Sequence, residues 1–135
     1  METTGMPTSK TTTKGKKVYP HKLDFISAAI RAGDFVFVSG QLALGPDGNL
    51  LHGNIEQETR TVLRQIETTL KDAGCTMRDI IKVMVWLQDP RDFEEYNRVY
   101  KEFFPVDPPV RATVRADLIY DSKLEVQVTA YKPLQ

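Results

Sequence analysis

The chain has 135 residues, of which 41% are hydrophobic and 27% charged, and its 18 basic side chains balance its 18 acidic ones. This length suits one globular domain whose core needs no disulfide or metal ion, and the composition excludes a largely disordered chain. The zero formal charge removes the simplest argument for nucleic-acid binding, because such proteins usually carry a basic surplus.

The few sulfur and imidazole side chains exclude several other classes. Cys75 is the only cysteine, so no internal disulfide can form, and with two scattered histidines the chain lacks the roughly four ligands of a structural zinc site. We expect a buried or incidental thiol at Cys75 and surface positions for His21 and His52. No apolar run approaches the ~20 residues of a membrane span and no signal peptide is visible, so we expect a cytoplasmic protein.

The first part of the chain predicts a tail followed by two strands. Residues 1–17 are rich in Thr, Lys and Gly with few apolar side chains, which predicts a disordered tail before a single domain at 18–135. Strands are predicted over 24–30 and 35–41, since the second of them alternates aromatic and aliphatic residues. Gly33 lies between them and suits a hairpin turn.

Two helices and three more strands follow. Asn54 and Gln57 form a predicted capping box that starts the first helix, and Gly74 predicts its end. A strand is predicted over 79–88, where Ile81, Val83, Val85 and Leu87 alternate with Lys82, Met84 and Trp86. The second helix is predicted to start at Asp89-Pro90 and to end before Pro105, with aromatic residues at helical spacing, namely Phe93, Tyr96, Tyr100, Phe103 and Phe104. The last predicted strands cover 111–118 and 123–131.

The predicted order of elements is β-β-α-β-α-β-β. It predicts an α/β (α+β) fold in which a mixed sheet carries both helices on one face. The other face would then lie bare with residues such as Met84 and Trp86 on it. A bare apolar sheet face favours self-association, usually into a closed symmetric oligomer.

The usual catalytic motifs are missing, so function is sought in isolated polar residues. Arg111 follows the rigid pair Pro108-Pro109 at the start of a strand, where a guanidinium can bind a carboxylate through two hydrogen bonds. Glu125 lies in the last strand and can act as a general acid or base. The alternatives are a surface arginine or an arginine paired with an acidic neighbour at position 111, and a solvated glutamate at position 125.

Two further positions are candidates for binding. Asn97 lies one turn beyond Phe93 on the apolar side of the second helix, where its amide can orient a substrate or cap a loop. Gly40, at the end of a strand, permits close approach to the backbone, and a β-bulge is the alternative there.

Four segments together resemble a known family. They are residues 31–41 (RAGDFVFVSGQ), 92–100 with Phe93, Asn97 and Tyr100, 108–114 (PPVRATV), and 124–130 (LEVQVTA). Their order and spacing resemble the Rid family of reactive intermediate deaminases, also called the YjgF family. The resemblance covers about residues 18 to 131.

This resemblance implies a chorismate-mutase-like fold and a homotrimer with ligand clefts between subunits. It implies hydrolysis of 2-imino acids and enamines such as 2-aminoacrylate to a keto acid and ammonia, with no metal or organic cofactor, no membrane and no nucleic acid as partner. Arg111 would bind the substrate carboxylate, and Glu125 would position and activate water. Side chains of Phe93 and Asn97, together with Gly40, would line the cleft, helped by the backbone of Ala112 and Thr113.

The sequence departs from the family pattern at Ile26. Many members have a tyrosine over the substrate at the corresponding position. The change favours a larger or less polar imino acid as the main substrate. Two other hypotheses remain: a pathway-specific deaminase of another enamine, such as an aminomuconate, and a non-catalytic module that binds a small ligand. Some relatives have also been labelled ribonucleases, a reading that the balanced charge weakens.

Overall fold

The computed structural model describes residues 10–11 and 15–134, which form one mixed sheet with two helices against it. The strands are β1 Lys10–Thr11, β2 Lys16–Pro20, β3 Ser27–Ala32, β4 Phe35–Val38, β5 Ile80–Leu87, β6 Val110–Arg115 and β7 Leu124–Tyr131, and the helices are α1 Ile55–Asp72 and α2 Phe93–Phe103. Their order across the sheet is β1-β2-β3-β4-β7-β5-β6. The predicted fold class is confirmed.

Only the β5–β6 pair is parallel, and α2 makes the crossover between these two strands. The other neighbouring strands run antiparallel. β6 and β7 follow each other in the chain but are not neighbours, because β5 lies between them. β6 is therefore an edge strand, and β7 lies inside the sheet.

The N-terminal boundary of the predicted domain needs a correction. Lys16 and Lys17, assigned above to a disordered tail, lie in β2 and pair with Ala32 and Arg31 of β3. The short strand β1 adds a further pair of residues to the same edge. Residues 1–9 and 12–14 of the predicted tail lie outside the described residues. The strand predicted over 24–30 begins later, at Ser27, because the residues before it form a turn.

The first helix forms as its sequence predicts. The Asn54 side chain accepts a hydrogen bond from the backbone N–H of Gln57, and the Gln57 side chain accepts one from the backbone N–H of Asn54. After the helix ends, Gly74 adopts a positive φ of 79°. The apolar stripe that packs against the sheet is buried and consists of Ile55, Val62, Leu63, Ile66 and Leu70.

The alternation predicted for β5 does not hold at its first residues. Ile81 is 42% exposed, whereas Ile80 is buried. The register of β5 against β7 shifts between Ile80 and Lys82, so Ile81 is the extra residue of a β-bulge. After the bulge the predicted alternation holds, with Val83, Val85 and Leu87 buried beneath the helices.

The sheet face opposite the helices carries a row of apolar side chains, as expected. Phe35 and Phe37 of β4 are 40% and 49% exposed, while the alternating Val36 and Val38 are buried. Met84 and Trp86 of β5 are partly exposed on the same face. Within the described residues, neither helix is long and apolar enough to cross a membrane.

Candidate functional site

Arg111 points toward the helices from the edge strand β6. It pairs with Val83 of β5, whose side chain is buried on the helix-covered face. Its guanidinium carbon Cζ lies 4.7 Å from the centre of the Tyr100 ring, 5.4 Å from that of Tyr96 and 5.8 Å from that of Phe93. Each such contact is worth about 0.5–1 kcal/mol at an exposed site. We call these four residues the arginine cluster.

The guanidinium of Arg111 forms no ion pair with any acidic side chain that the structure describes. Arg60 and Arg98 differ, since each of them binds two or more glutamates along the helices. Arg111 is also largely exposed. A cation held by aromatic rings, with its N–H groups unused by a carboxylate, can bind an external anion.

The two tyrosines of the arginine cluster bring buried hydroxyls to the same place. Tyr96 is fully buried and Tyr100 is 7% exposed. The hydroxyls of both, and that of Thr113 on the Arg111 side of β6, have no hydrogen-bond partner among the described residues. Burial raises the pKa of both phenols, and the positive charge of Arg111 opposes this rise. Both phenols are therefore neutral at pH 7.

The remaining predicted residues near Arg111 fall on the same two elements. Asn97 is half-buried and follows Phe93 by one helical turn, so both lie on the same side of α2. Thr113 shares the helix-covered face of β6 with Arg111, since it pairs with the buried Val85. Ala112 points to the opposite face, and only its backbone lies beside the cluster.

Glu125 lies on the helix-free face of the sheet, next to Gly40. It pairs with Trp86 of β5, and its neighbours in β7, Leu124 and Val126, are buried on the other face. A Cβ atom added to Gly40 would contact Oε2 of Glu125 and would lie 3.2 Å from its Cδ. Only glycine at position 40 leaves the space that this carboxylate occupies. We call Gly40 and Glu125 the glutamate cluster.

Backbone hydrogen bonds hold the glutamate cluster together. Gln41 N–H donates to the Val126 carbonyl at 2.8 Å, and Val126 N–H donates to the Gln41 carbonyl at 3.0 Å. These bonds fix the residue after Gly40 against the residue after Glu125. The alternation that carries Val126 into the core therefore fixes Glu125 on the open face.

Ile26 precedes Ser27, which is hydrogen-bonded to the residue before Gly40. The Ser39 hydroxyl donates to the Ser27 carbonyl at 2.5 Å, which ties the start of β3 to the residue before Gly40. Ile26 itself is 40% exposed, and the preceding Phe25 is 75% exposed. Residues 25 and 26 are therefore an exposed apolar surface.

The two clusters lie on opposite faces of the same sheet. Arg111, with Phe93 and Thr113, is on the helix-covered side, and Glu125 with Gly40 is on the open side. The strand β5 separates β6 from β7, so the side chains of one chain cannot meet around one small molecule. Any site that uses both clusters needs a second copy of the chain.

Sequence reasoning treated Tyr96 and Tyr100 as ordinary aromatic core residues. The two tyrosines are four residues apart, so they lie on the same face of the helix, the face that meets Arg111. That spacing was the signal available in the sequence.

The buried thiol at Cys75 is confirmed, and burial raises its pKa above the ordinary value. His52 is exposed as expected, whereas His21 is half-buried and its Nδ1 accepts a hydrogen bond from the Leu23 N–H.

Comparisons with known proteins agree with this fold. Residues 20–132 match the family described as Endoribonuclease L-PSP. A RutC family protein of Pyrococcus horikoshii is 39% identical over 84% of this chain and 91% of its own length. The human 2-iminobutanoate/2-iminopropanoate deaminase is 32% identical over 77% of each chain. The crystal structure of a protein of the conserved Rid family from Yersinia pestis superposes with a TM-score of 0.80 and 30% identity, covering 86% of this chain and 98% of that one.

Proposed function

Since this chain belongs to the YjgF/Rid family, we propose that it hydrolyses small imines or enamines bearing a carboxylate to a keto acid and ammonia. A human relative is named as a deaminase of two such 2-imino acids. The observation that carries the proposal is the state of Arg111. Its guanidinium is held against three aromatic rings, is largely exposed, and has no acidic partner among the described residues.

In the proposed reaction Arg111 binds the substrate carboxylate through two parallel N–H donors. This orients the C=N carbon toward a water molecule held by Glu125. The carboxylate of Glu125 accepts a proton as the water oxygen attacks the carbon of the protonated imine, which gives a carbinolamine. Glu125 then donates this proton to the amino nitrogen. The C–N bond breaks to release ammonia as the hydroxyl returns a proton to Glu125 and becomes the keto oxygen. A protonated imine is electrophilic, so positioning and proton transfer are sufficient, and no stronger nucleophile is needed.

The proposal requires at least two copies of the chain at each site, because the clusters lie on opposite faces of one sheet. One copy would supply Arg111 and the other Glu125, across an interface that covers the apolar row containing Phe35 and Phe37. A closed ring such as a homotrimer presents the same pair of surfaces at every junction. The exposed apolar row supports such an interface, since monomers rarely leave large apolar patches uncovered.

We further propose that the preferred substrate has an apolar side chain. Phe25 and Ile26 precede Ser27, which is hydrogen-bonded to Ser39 beside Gly40, and their exposed apolar side chains offer no hydroxyl to a substrate. The substrate test compares imines generated from alanine and from leucine by an amino-acid oxidase. The wild-type protein should hydrolyse the imine from leucine faster than the imine from alanine. In Ile26→Tyr this preference should reverse.

The main test measures ammonia release from such imines with three variants. Arg111→Ala should reduce kcat/KM by about 100-fold or more, since a charge-assisted bidentate contact of about 3 kcal/mol is lost. Arg111→Lys keeps the charge but not the planar pair of donors, and it should recover only part of the loss. Arg64→Gln, which removes an exposed arginine from α1, is the matched control and should keep full activity. Full activity in Arg111→Ala would refute the proposal.

A mixing experiment tests the shared site. Arg111→Ala and Glu125→Gln should each keep only a small but measurable residual activity alone. After the two are unfolded and refolded together, random association should restore about a quarter of the wild-type activity, because each junction then has a one-in-four chance of two intact partners. Recovery of no activity would mean that Arg111 and Glu125 of one site do not come from two different copies of the chain.

A further inference from the structure

The carboxylate of Glu58 is buried in the first turn of α1 and plays no part in the proposed reaction. The side chain is only 1% exposed. It lies on the apolar face of the helix, between Ile55 and Val62, where most of its neighbours are core residues. A buried carboxylate is costly unless several donors satisfy it, so its partners show what it holds in place.

Both oxygens of Glu58 are occupied, mainly by the segment that leads into β7. Oε1 accepts a hydrogen bond from the Lys123 backbone N–H at 2.9 Å. It also lies 3.3 Å from the Ser122 hydroxyl, whose one proton is shared with the Leu124 carbonyl at 3.2 Å. Oε2 accepts one from the Gly53 N–H at 3.1 Å and lies 3.7 Å from the Lys123 ammonium nitrogen. The carboxylate thus joins the start of α1 to residues 122–123.

This segment lies directly before Glu125. The Lys123 carbonyl accepts a hydrogen bond from Gln88 N–H at 3.0 Å, which extends the β5–β7 ladder. Leu124, the next residue, is fully buried. Glu125 is therefore fixed on one side by the residues that Glu58 holds and on the other by the two hydrogen bonds between Val126 and Gln41.

We propose that Glu58 is a positioning residue for Glu125. By holding the backbone of Lys123, it fixes the point at which β7 begins and thereby keeps the Glu125 carboxylate in the space over Gly40. This role rests on the proposed function, since it gives Glu125 the task of activating water. A displacement of about 1 Å in a catalytic group can cost about 100-fold in rate.

The test uses the whole protein and two substitutions at the Glu58 contacts. Glu58→Gln keeps the shape of the side chain, but one oxygen becomes an N–H₂ donor that faces backbone N–H groups or the Lys123 ammonium. Ser122→Ala removes the hydroxyl that contacts Glu58 Oε1 and the Leu124 carbonyl but leaves the bond from the Lys123 N–H, so it is the milder variant if Glu58→Gln folds poorly. Glu67→Gln, at an exposed position of the same helix, is the matched control. Thermal unfolding checks that each variant is folded.

The expected result is a fall in kcat of about 10- to 100-fold in Glu58→Gln. KM should change little because Arg111, and not Glu125, binds the substrate carboxylate. Ser122→Ala should shift kcat less and in the same direction, and Glu67→Gln should not change it. The same substitution at Glu58 should have no effect on kcat when it is added to Glu125→Gln, since the residue it positions is then already lost.

Two results would overturn the proposal. One is a wild-type kcat in Glu58→Gln. The other is an equal fall in kcat with and without Glu125→Gln, which would point to general destabilisation. If the wild-type protein hydrolyses no imine, the proposed function fails by itself. The crystal structure of Glu58→Gln then decides the inference: a displaced Glu125 carboxylate supports it, and a carboxylate unmoved over Gly40 refutes it.

Discussion

Gly40→Ala is expected to lower the activity strongly while changing the stability little. The φ of Gly40 lies outside the left-handed region, so alanine is compatible with the backbone. The new methyl group would collide with the Glu125 carboxylate, whose Cδ and Cγ would lie 3.2 Å and 3.5 Å away. To restore ordinary contact distances the carboxylate has to withdraw by roughly 1 Å, and it can do so because it ends a flexible side chain.

The two effects differ in size. A rotated glutamate side chain costs about 0.5–1.5 kcal/mol, and replacing glycine by alanine in an allowed conformation returns about 0.4–1 kcal/mol. The free energy of unfolding should therefore change by less than about 1 kcal/mol. In contrast, kcat should fall by about 100-fold, since the group that activates water is misplaced.

Two measurements on the same preparation check this prediction. The free energy of unfolding is measured by denaturant titration, and ammonia release from oxidase-generated imines gives kcat. Gly45→Ala is the matched control, because a Cβ there would lie 3.2 Å from an Asp47 oxygen, in a loop that holds no predicted site residue. A Gly40→Ala variant with wild-type kcat would show that the position of Glu125 is irrelevant to catalysis.

Three further predictions concern other parts of the molecule. Phe93→Leu removes one ring beside Arg111 and should raise KM for carboxylate substrates by about two- to fivefold, as steady-state kinetics would show. Ile66→Ala, at a fully buried position of α1, should lower the free energy of unfolding by about 2–5 kcal/mol in a denaturant titration. Hydrogen bonds from Arg91 lower the pKa of Asp89 from 3.8 to about 2. The stabilisation that Asp89 provides is therefore present above pH 4 and lost as the pH falls toward 2, so Asp89→Asn should lower the melting temperature at pH 7 but not at pH 2.

Much of the fold follows from local patterns in the sequence. The helix α1 was predicted from its capping box and its glycine stop, and β4 from the alternation of Phe35 and Phe37 with two valines. The bulge at Ile81 was not predictable, because a run of isoleucines and valines fits two registers equally well. The strand β2 was missed since its two lysines resemble the polar residues before it.

The residues of the candidate site were proposed from the sequence, but their geometry was not. Arg111 and Glu125 were both singled out, yet nothing in the sequence placed them on opposite faces. β6 is an edge strand, and four of its six residues are polar or small. Its sequence pattern therefore does not reveal which face meets the helices. Glu58 was missed because a glutamate in the first turn of a helix ordinarily serves the helix dipole at the surface. Only its distant partners, Ser122 and Lys123, reveal its burial.

The position of β7 has a consequence for how the protein is made. β7 is the last strand in the chain, yet it lies between β4 and β5 and joins the two parts of the sheet. Phe35 of β4 pairs with Tyr131, almost the whole domain away in sequence. During synthesis the edges of β4 and β5 that face β7 therefore stay unpaired until β7 emerges from the ribosome. Folding of the sheet is completed only then. A premature stop codon before β7 would remove the middle of the sheet, and the product would be a target for chaperones and proteases.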